Sequence, residues 1–412
     1  MQIRLTHIAF FFFFLTALTG VWMRLSYFTG TLEAVPYTHL LHAHSHIAVL
    51  GWTFFAVFII FVIMMGQENS RFVRYISLLL FLVTTAMFIA FLMQGYALYS
   101  IILSMFHIFL QYAIAYFIIK HVRKDKTIPK SSRFFMYGAV VMLVISSFGP
   151  FALGAIASQG LRDSAIFDIA IYFYLHFQYN GWLTLMLIGM LLLMLNRRKI
   201  AFSEKRMQTS FTVYFISLFP AFLLSILWYD LGVIGIIIAA IGAIGQLTAI
   251  ILFMLTIIQA NKQVEKSLSS FITYHIYGVL ALLAIKVTME FGLLHPTFGR
   301  LIYETRSVVI AYLHLTLLGF ISLFIMTQFY LTRLLNENNG LLKFGLSVFL
   351  IGFALNELTL FFTSLFSWLQ LGTLPGQNII LLFATVCLLI AIIFMWGSTL
   401  INSTKQQLYL KK

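Results

Sequence analysis

Cysteine is all but absent from this chain: Cys387 is the single one among 412 residues, and it lies inside an apolar run. One thiol excludes an internal disulfide framework and any site built on several thiolates. Charge is nearly as scarce, at 9% of residues against 61% hydrophobic. A water-soluble domain of this length would need far more polar surface, so composition excludes that class and points to a polytopic membrane protein. Acidic residues are few, 12 against 26 Lys and Arg, which leaves a net charge of +14. Such an excess suits nucleic acid as well as anionic lipid, and its distribution along the chain decides between them.

What the chain has in quantity is long apolar runs. Twelve of them approach the roughly 20 residues that cross a bilayer as a helix. They cover about 7–28, 39–65, 71–95, 98–120, 134–157, 167–195, 209–229, 232–260, 270–290, 306–332, 341–368 and 377–401. Backbone groups in lipid must be satisfied within the segment, so these runs predict helices and an all-α class. The whole of 1–412 reads as one twelve-helix domain. The first run, 8-IAFFFFFLTAL-18, has the look of a secretory h-region, but no small-residue cleavage site stands before Arg24, so it is expected to stay as a span.

With the N-terminus placed in the cytoplasm, all but five of the 26 basic residues fall on that side. The exceptions are Arg24, Arg162, Lys286, Arg300 and Arg306. The dense clusters are 120-KHVRKDKTIPKSSR-133, 197-RRK-199 with 205-KR-206, and the tail Lys405, Lys411 and Lys412. This is a positive-inside pattern with both ends cytoplasmic, expected in a bacterial inner membrane. The positive charge therefore reports topology and contact with lipid headgroups, and gives no support to nucleic acid.

Histidine is the unusual polar residue here. The string 39-HLLHAHSHIAVLGW-52 holds four at the mouth of the second span. Three spans share one pattern, a histidine followed five residues later by glycine and then an aromatic: 46-HIAVLGW-52, 176-HFQYNGW-182 and 314-HLTLLGF-320. They belong to spans two, six and ten, so the chain reads as three four-helix pseudo-repeats, each carrying one histidine at a similar depth. A single intramembrane histidine is as readily a hydrogen-bonder between helices as a ligand. Three at equivalent positions favour a metal or haem iron, because neutral imidazole is a metal ligand. At 100° per residue, His39, His42 and His46 fall within about 60° on one face and His44 points nearly opposite.

Twelve spans with histidines on the second, sixth and tenth resemble subunit I of the haem–copper oxidase superfamily. Locally, 176-HFQYNG-181 and 312-YLHLTLLG-319 are similar to the nitric oxide reductase large subunit, and 42-HAHSHIAVLGW-52 looks like the NnrS family of haem- and copper-containing membrane proteins. The resemblance implies haem b ligated by His46 and His314, with His42 or His44 as alternatives on the second span. It also implies copper or non-haem iron at His176; in a divergent active enzyme His42, His39 or His107 would supply the missing ligands. Arg300 and Arg306 would meet the haem propionates. The departures are specific. The seventh span, 209-TSFTVYFISLFPAFLLSILWYD-230, lacks the His-His pair of the family, Tyr312 stands where the high-spin haem ligand would be, and Asn180 stands where the reductases carry glutamate. No Cys-x-x-Cys-His occurs, which excludes covalent c-type haem.

Three functional readings follow. In the first, the protein binds haem and either binds or reduces a diatomic gas (O2 or NO) or passes electrons from a donor such as cytochrome c or quinol, with an incomplete second metal site. In the second it is a divergent active oxidase or nitric oxide reductase. In the third the ladder His39, His42, His46 carries a metal or other cation through the membrane. Other polar residues within spans have simpler expectations: an i,i+4 ion pair for Lys286 and Glu290, a proton-path role for Glu357, a helix contact for His107, and a kink at Pro220.

Overall fold

A computed structural model describes residues 2–29 and 35–409 of the chain. Every regular element among them is helical. Twelve helices are long and apolar enough to cross a membrane: α1 (Arg4–Phe28), α2 (Tyr37–Met64), α3 (Arg71–Gln94), α4 (Leu98–Lys124), α5 (Lys130–Ser158), α6 (Ala165–Arg197), α7 (Glu204–Ile226), α8 (Gly232–Gln259), α9 (Ser270–Leu294), α10 (Arg306–Leu331), α11 (Gly340–Trp368) and α12 (Gln377–Leu400). Each coincides with one expected run, and the chain is an all-α polytopic membrane protein. Lys411 and Lys412 of the basic tail lie outside the described residues.

The spans begin and end on local signals. Ser70, Ser203 and Ser269 each cap a helix by accepting from the backbone N–H three residues on. Asn339 accepts from two N–H groups, those of Leu341 and Leu342, at the start of α11. Pro36 and Pro129 precede α2 and α5, where a missing N–H costs nothing. Gly95 ends α3 at φ 61°, a left-handed conformation that glycine adopts without strain. Within α7, Pro220 is followed by a tightened 3-10 segment, Phe222–Ile226, as expected where a helix loses one i→i−4 bond.

The helices form two compact units, Met1–Leu110 with Ile325–Lys412, and Gln111–Phe324. The first is packed around aromatic rings. Phe13 stacks face to face on Trp52 at 4.0 Å, with Phe10, Phe329 and Phe349 around them. In the second, α7 and α8 approach so closely at Gly242 that a Cβ there would lie 2.2 Å from the Ala221 nitrogen. Residues 49–62 of α2 and 176–195 of α6 are buried on every side, whereas the starts of both helices are mostly half-buried or exposed.

The pseudo-repeat is written in the backbone. Each histidine motif coincides with a π-helical turn: Ile47–Thr53 in α2, His176–Leu183 in α6 and Leu315–Ile321 in α10. Such turns are rare, and they recur at functional sites. A wide turn spoils the i→i−4 ladder, and side chains repair it in the same place each time. The carbonyl three residues after the histidine accepts from a hydroxyl on the next turn: Thr53 to Val49, Thr184 to Tyr179 and Ser322 to Leu317, each at 2.7 Å. The carbonyl one residue further accepts from a neighbouring helix in two copies, His107 to Leu50 and Tyr214 to Asn180.

Candidate functional site

In the first unit the histidines of α2 divide as a 100° step requires. His44 turns to α1, where Nδ1 lies 3.0 Å from both the Thr16 carbonyl and the Thr19 hydroxyl. His39, His42 and His46 turn to the end of α3. His39 Nδ1 lies 3.4 Å from the Leu92 carbonyl, and its ring packs on Gly95, where a Cβ would sit 2.6 Å from His39 Cδ2. His42 meets the Tyr96 ring edge-on at 4.5 Å. His46 lies 4.2 Å from the Phe91 ring.

Hydrogen bonds fix the tautomer of His46. Nδ1 is 2.9 Å from the His42 carbonyl, which only accepts, so Nδ1 carries the proton. The lone pair is therefore on Nε2, which accepts from the Tyr96 hydroxyl at 2.9 Å. A ring proton anchored on a backbone carbonyl with Nε2 presented outward is the arrangement of a metal-ligating imidazole. Tyr96 sits between α3 and α4, outside any helical period, with part of its surface exposed. His107, on α4, touches Phe54 and bonds the Leu50 carbonyl, so it supports the wide turn of α2.

In the second unit His176 is fully engaged. Its Nε2 donates to the Leu218 carbonyl at 2.9 Å, and Nδ1 accepts from the Asn180 amide at 3.2 Å. Neither nitrogen offers a lone pair to a metal in this arrangement. Among the described residues no group of three or more His, Cys, Asp or Glu is disposed to hold a metal ion. The donor set around His176 therefore does not fit copper or non-haem iron.

A buried polar cluster that sequence reasoning leaves in pieces surrounds the same stretch of α6. Lys286 and Glu290 pair at 2.6 Å and are almost wholly buried. The Tyr312 hydroxyl donates to the same Glu290 oxygen at 2.5 Å. The Tyr179 ring lies 6.2 Å from that of Tyr312. The Lys286 ammonium faces both rings, at 5.9 Å and 5.7 Å. The i,i+4 spacing announces the ion pair; its link to Tyr312 crosses between helices and has no sequence signal.

His314 stands half-buried at the head of the wide turn of α10. Arg300 is exposed and paired with Glu304 at 2.9 Å, and Arg306 opens α10 on its exposed end. Glu357 accepts from the Asn356 amide at 3.0 Å. The remaining histidines serve local structure: His121 and His275 bond carbonyls one turn back, His7 accepts from Trp396, and His295 packs on Phe298.

The chain matches no protein-family model and no curated protein.

Proposed function

We propose that this integral membrane protein binds haem b through His46, on a scaffold that resembles subunit I of the haem–copper oxidases. The observation that carries the reading is the His46 ring: its proton is committed to the His42 carbonyl, which leaves the acceptor lone pair on Nε2, where a hydroxyl on a short turn holds it. His314, in the other unit, is the further haem-ligand candidate that the resemblance implies. Its motif repeats that of His46, including the wide turn that follows it.

Haem would supply an iron that changes valence by one electron, tuned by its imidazole ligands. The chain's own residues do the rest. The His42 carbonyl orients the imidazole and makes it a better donor. Phe91 and Tyr96 wall its face with rings. The Tyr96 hydroxyl, which holds Nε2 here, must yield that position to the iron. With the donors of His176 engaged elsewhere, the reading favoured is electron passage or binding of a diatomic gas, with cytochrome c or quinol as the class of electron donor. The placement of the basic clusters supports a bacterial inner membrane with both termini in the cytoplasm.

The test is an absorption spectrum of purified protein with haem and metal analysis. A Soret band with a low-spin α-band is expected, lost in His46→Ala and in His314→Ala and kept in Tyr96→Phe. A spectrum unchanged in both histidine variants sinks the assignment.

A further inference from the structure

The Lys286–Glu290 pair is costly to bury in a membrane span, and intramembrane ionisable groups mark functional sites by default. Its geometry is also specific. A phenol donates its proton to a carboxylate oxygen already held by an ammonium, and a second tyrosine ring packs against the first. A phenol loses an electron readily only when its proton has somewhere to go, and the Glu290 oxygen lies in hydrogen-bond contact with the Tyr312 proton.

The same unit carries aromatic rings toward the membrane face where α6 and α10 begin. Tyr172 lies on α6 seven residues before Tyr179, about 10 Å along the axis. Its ring is 6.4 Å from that of Tyr303 and 6.2 Å from that of Trp228. Trp228 and Tyr303 stack at 4.2 Å, half-buried, and the Tyr303 hydroxyl donates to Asp168 at 3.2 Å. Tyrosines at both ends of the series thus have a carboxylate acceptor, and Tyr179 and Tyr312 close it at 6.2 Å between rings.

We propose that Tyr312 is a redox-active residue, and that Tyr179, Tyr172 and the Trp228–Tyr303 stack connect it to a one-electron oxidant at that membrane face. In the step, Tyr312 gives one electron along this series to the oxidant. Its hydroxyl proton passes to Glu290, the O–H bond breaking as the carboxyl O–H forms. The products are a neutral tyrosyl radical, a carboxylic acid and an oxidant reduced by one electron. Lys286 is a positioning residue that keeps the carboxylate oxygen facing the phenol. The proposal stands without the haem.

The experiment is photo-oxidation of the full chain in detergent with a ruthenium(III) tris-bipyridine generated by flash in the presence of persulfate, followed by electron paramagnetic resonance. The wild type is expected to give a narrow tyrosyl signal that forms more slowly in deuterium oxide. Tyr312→Phe, which keeps the ring and its packing, is expected to lose it. Tyr303→Phe is expected to slow its appearance, and Tyr75→Phe, a change at an exposed ring in the other unit, leaves it intact. No radical in the wild type, or an undiminished one in Tyr312→Phe, overturns the proposal. Formation at the wild-type rate in Tyr303→Phe overturns the route. The readout needs no haem band, so the two readings fail separately.

Discussion

At the residue scale the buried ion pair makes the sharpest energetic prediction. Lys286 and Glu290 are nearly inaccessible, so Lys286→Met leaves a carboxylate without its counter-ion and is expected to cost roughly 3–5 kcal/mol. Replacing both, as Lys286→Met with Glu290→Leu, removes charge on both sides and should recover most of that loss. Denaturation in detergent reads the difference, and equal losses in single and double variants would refute the pairing argument. Gly95 makes a second case. Its φ of 61° and the 2.6 Å approach to His39 both exclude a side chain, so Gly95→Ala is expected to lose about 1–3 kcal/mol and to disturb the histidine face of α2. The division of that face was legible in the sequence, because a fixed 100° step separates His44 from His39, His42 and His46. The Tyr96 bond to His46 was not: Tyr96 sits in a turn, where no period says which way a ring points. The link from Tyr312 to Glu290 was hidden for a related reason, since contacts between helices depend on rotations that spacing within one helix does not fix.

At the scale of the element, the turn between α4 and α5 offers a pH test. The Asp125 carboxyl is held below its ordinary range first by the Thr127 hydroxyl, with help from the Thr127 N–H, Arg197 and Arg133, against partial burial. A carboxyl with a lowered native value stabilises the fold above its unfolded pKa and loses that contribution as pH falls through the native one. The melting temperatures of wild type and Asp125→Asn should therefore differ at neutral pH and converge in acid. A difference that persists in acid would show that Asp125 acts through something other than its charge. The wide turns can be probed in the same way. Tyr214→Phe strands the Asn180 carbonyl inside α6 and is expected to cost about 1 kcal/mol. Apolar runs revealed all twelve spans, because hydropathy in lipid is nearly the whole signal. The π turns carry no such signal, because one added residue hardly changes the hydropathy of a run.

At the scale of the whole molecule, an even number of spans predicts both ends of the chain on one side of the membrane, and the basic loops predict that side to be the cytoplasm. In a Cys387→Ser background, Thr127→Cys should react with an impermeant maleimide only from the cytoplasmic face and Leu161→Cys only from the opposite one. The reversed pattern would invert the topology. The three-fold repeat was legible here too, as three short histidine motifs separated by four spans each, although nothing in their letters announced that each one bends the backbone in the same way. Those bends set the azimuth of everything downstream. Removing a single residue from the turn in α2, for instance Gly51, would swing Trp52 and the half-span after it by about 100° and carry its indole off Phe13. The extra residue therefore works as a keyway: it aligns the halves of the span so that the upper one can present histidine while the lower one locks into the aromatic core.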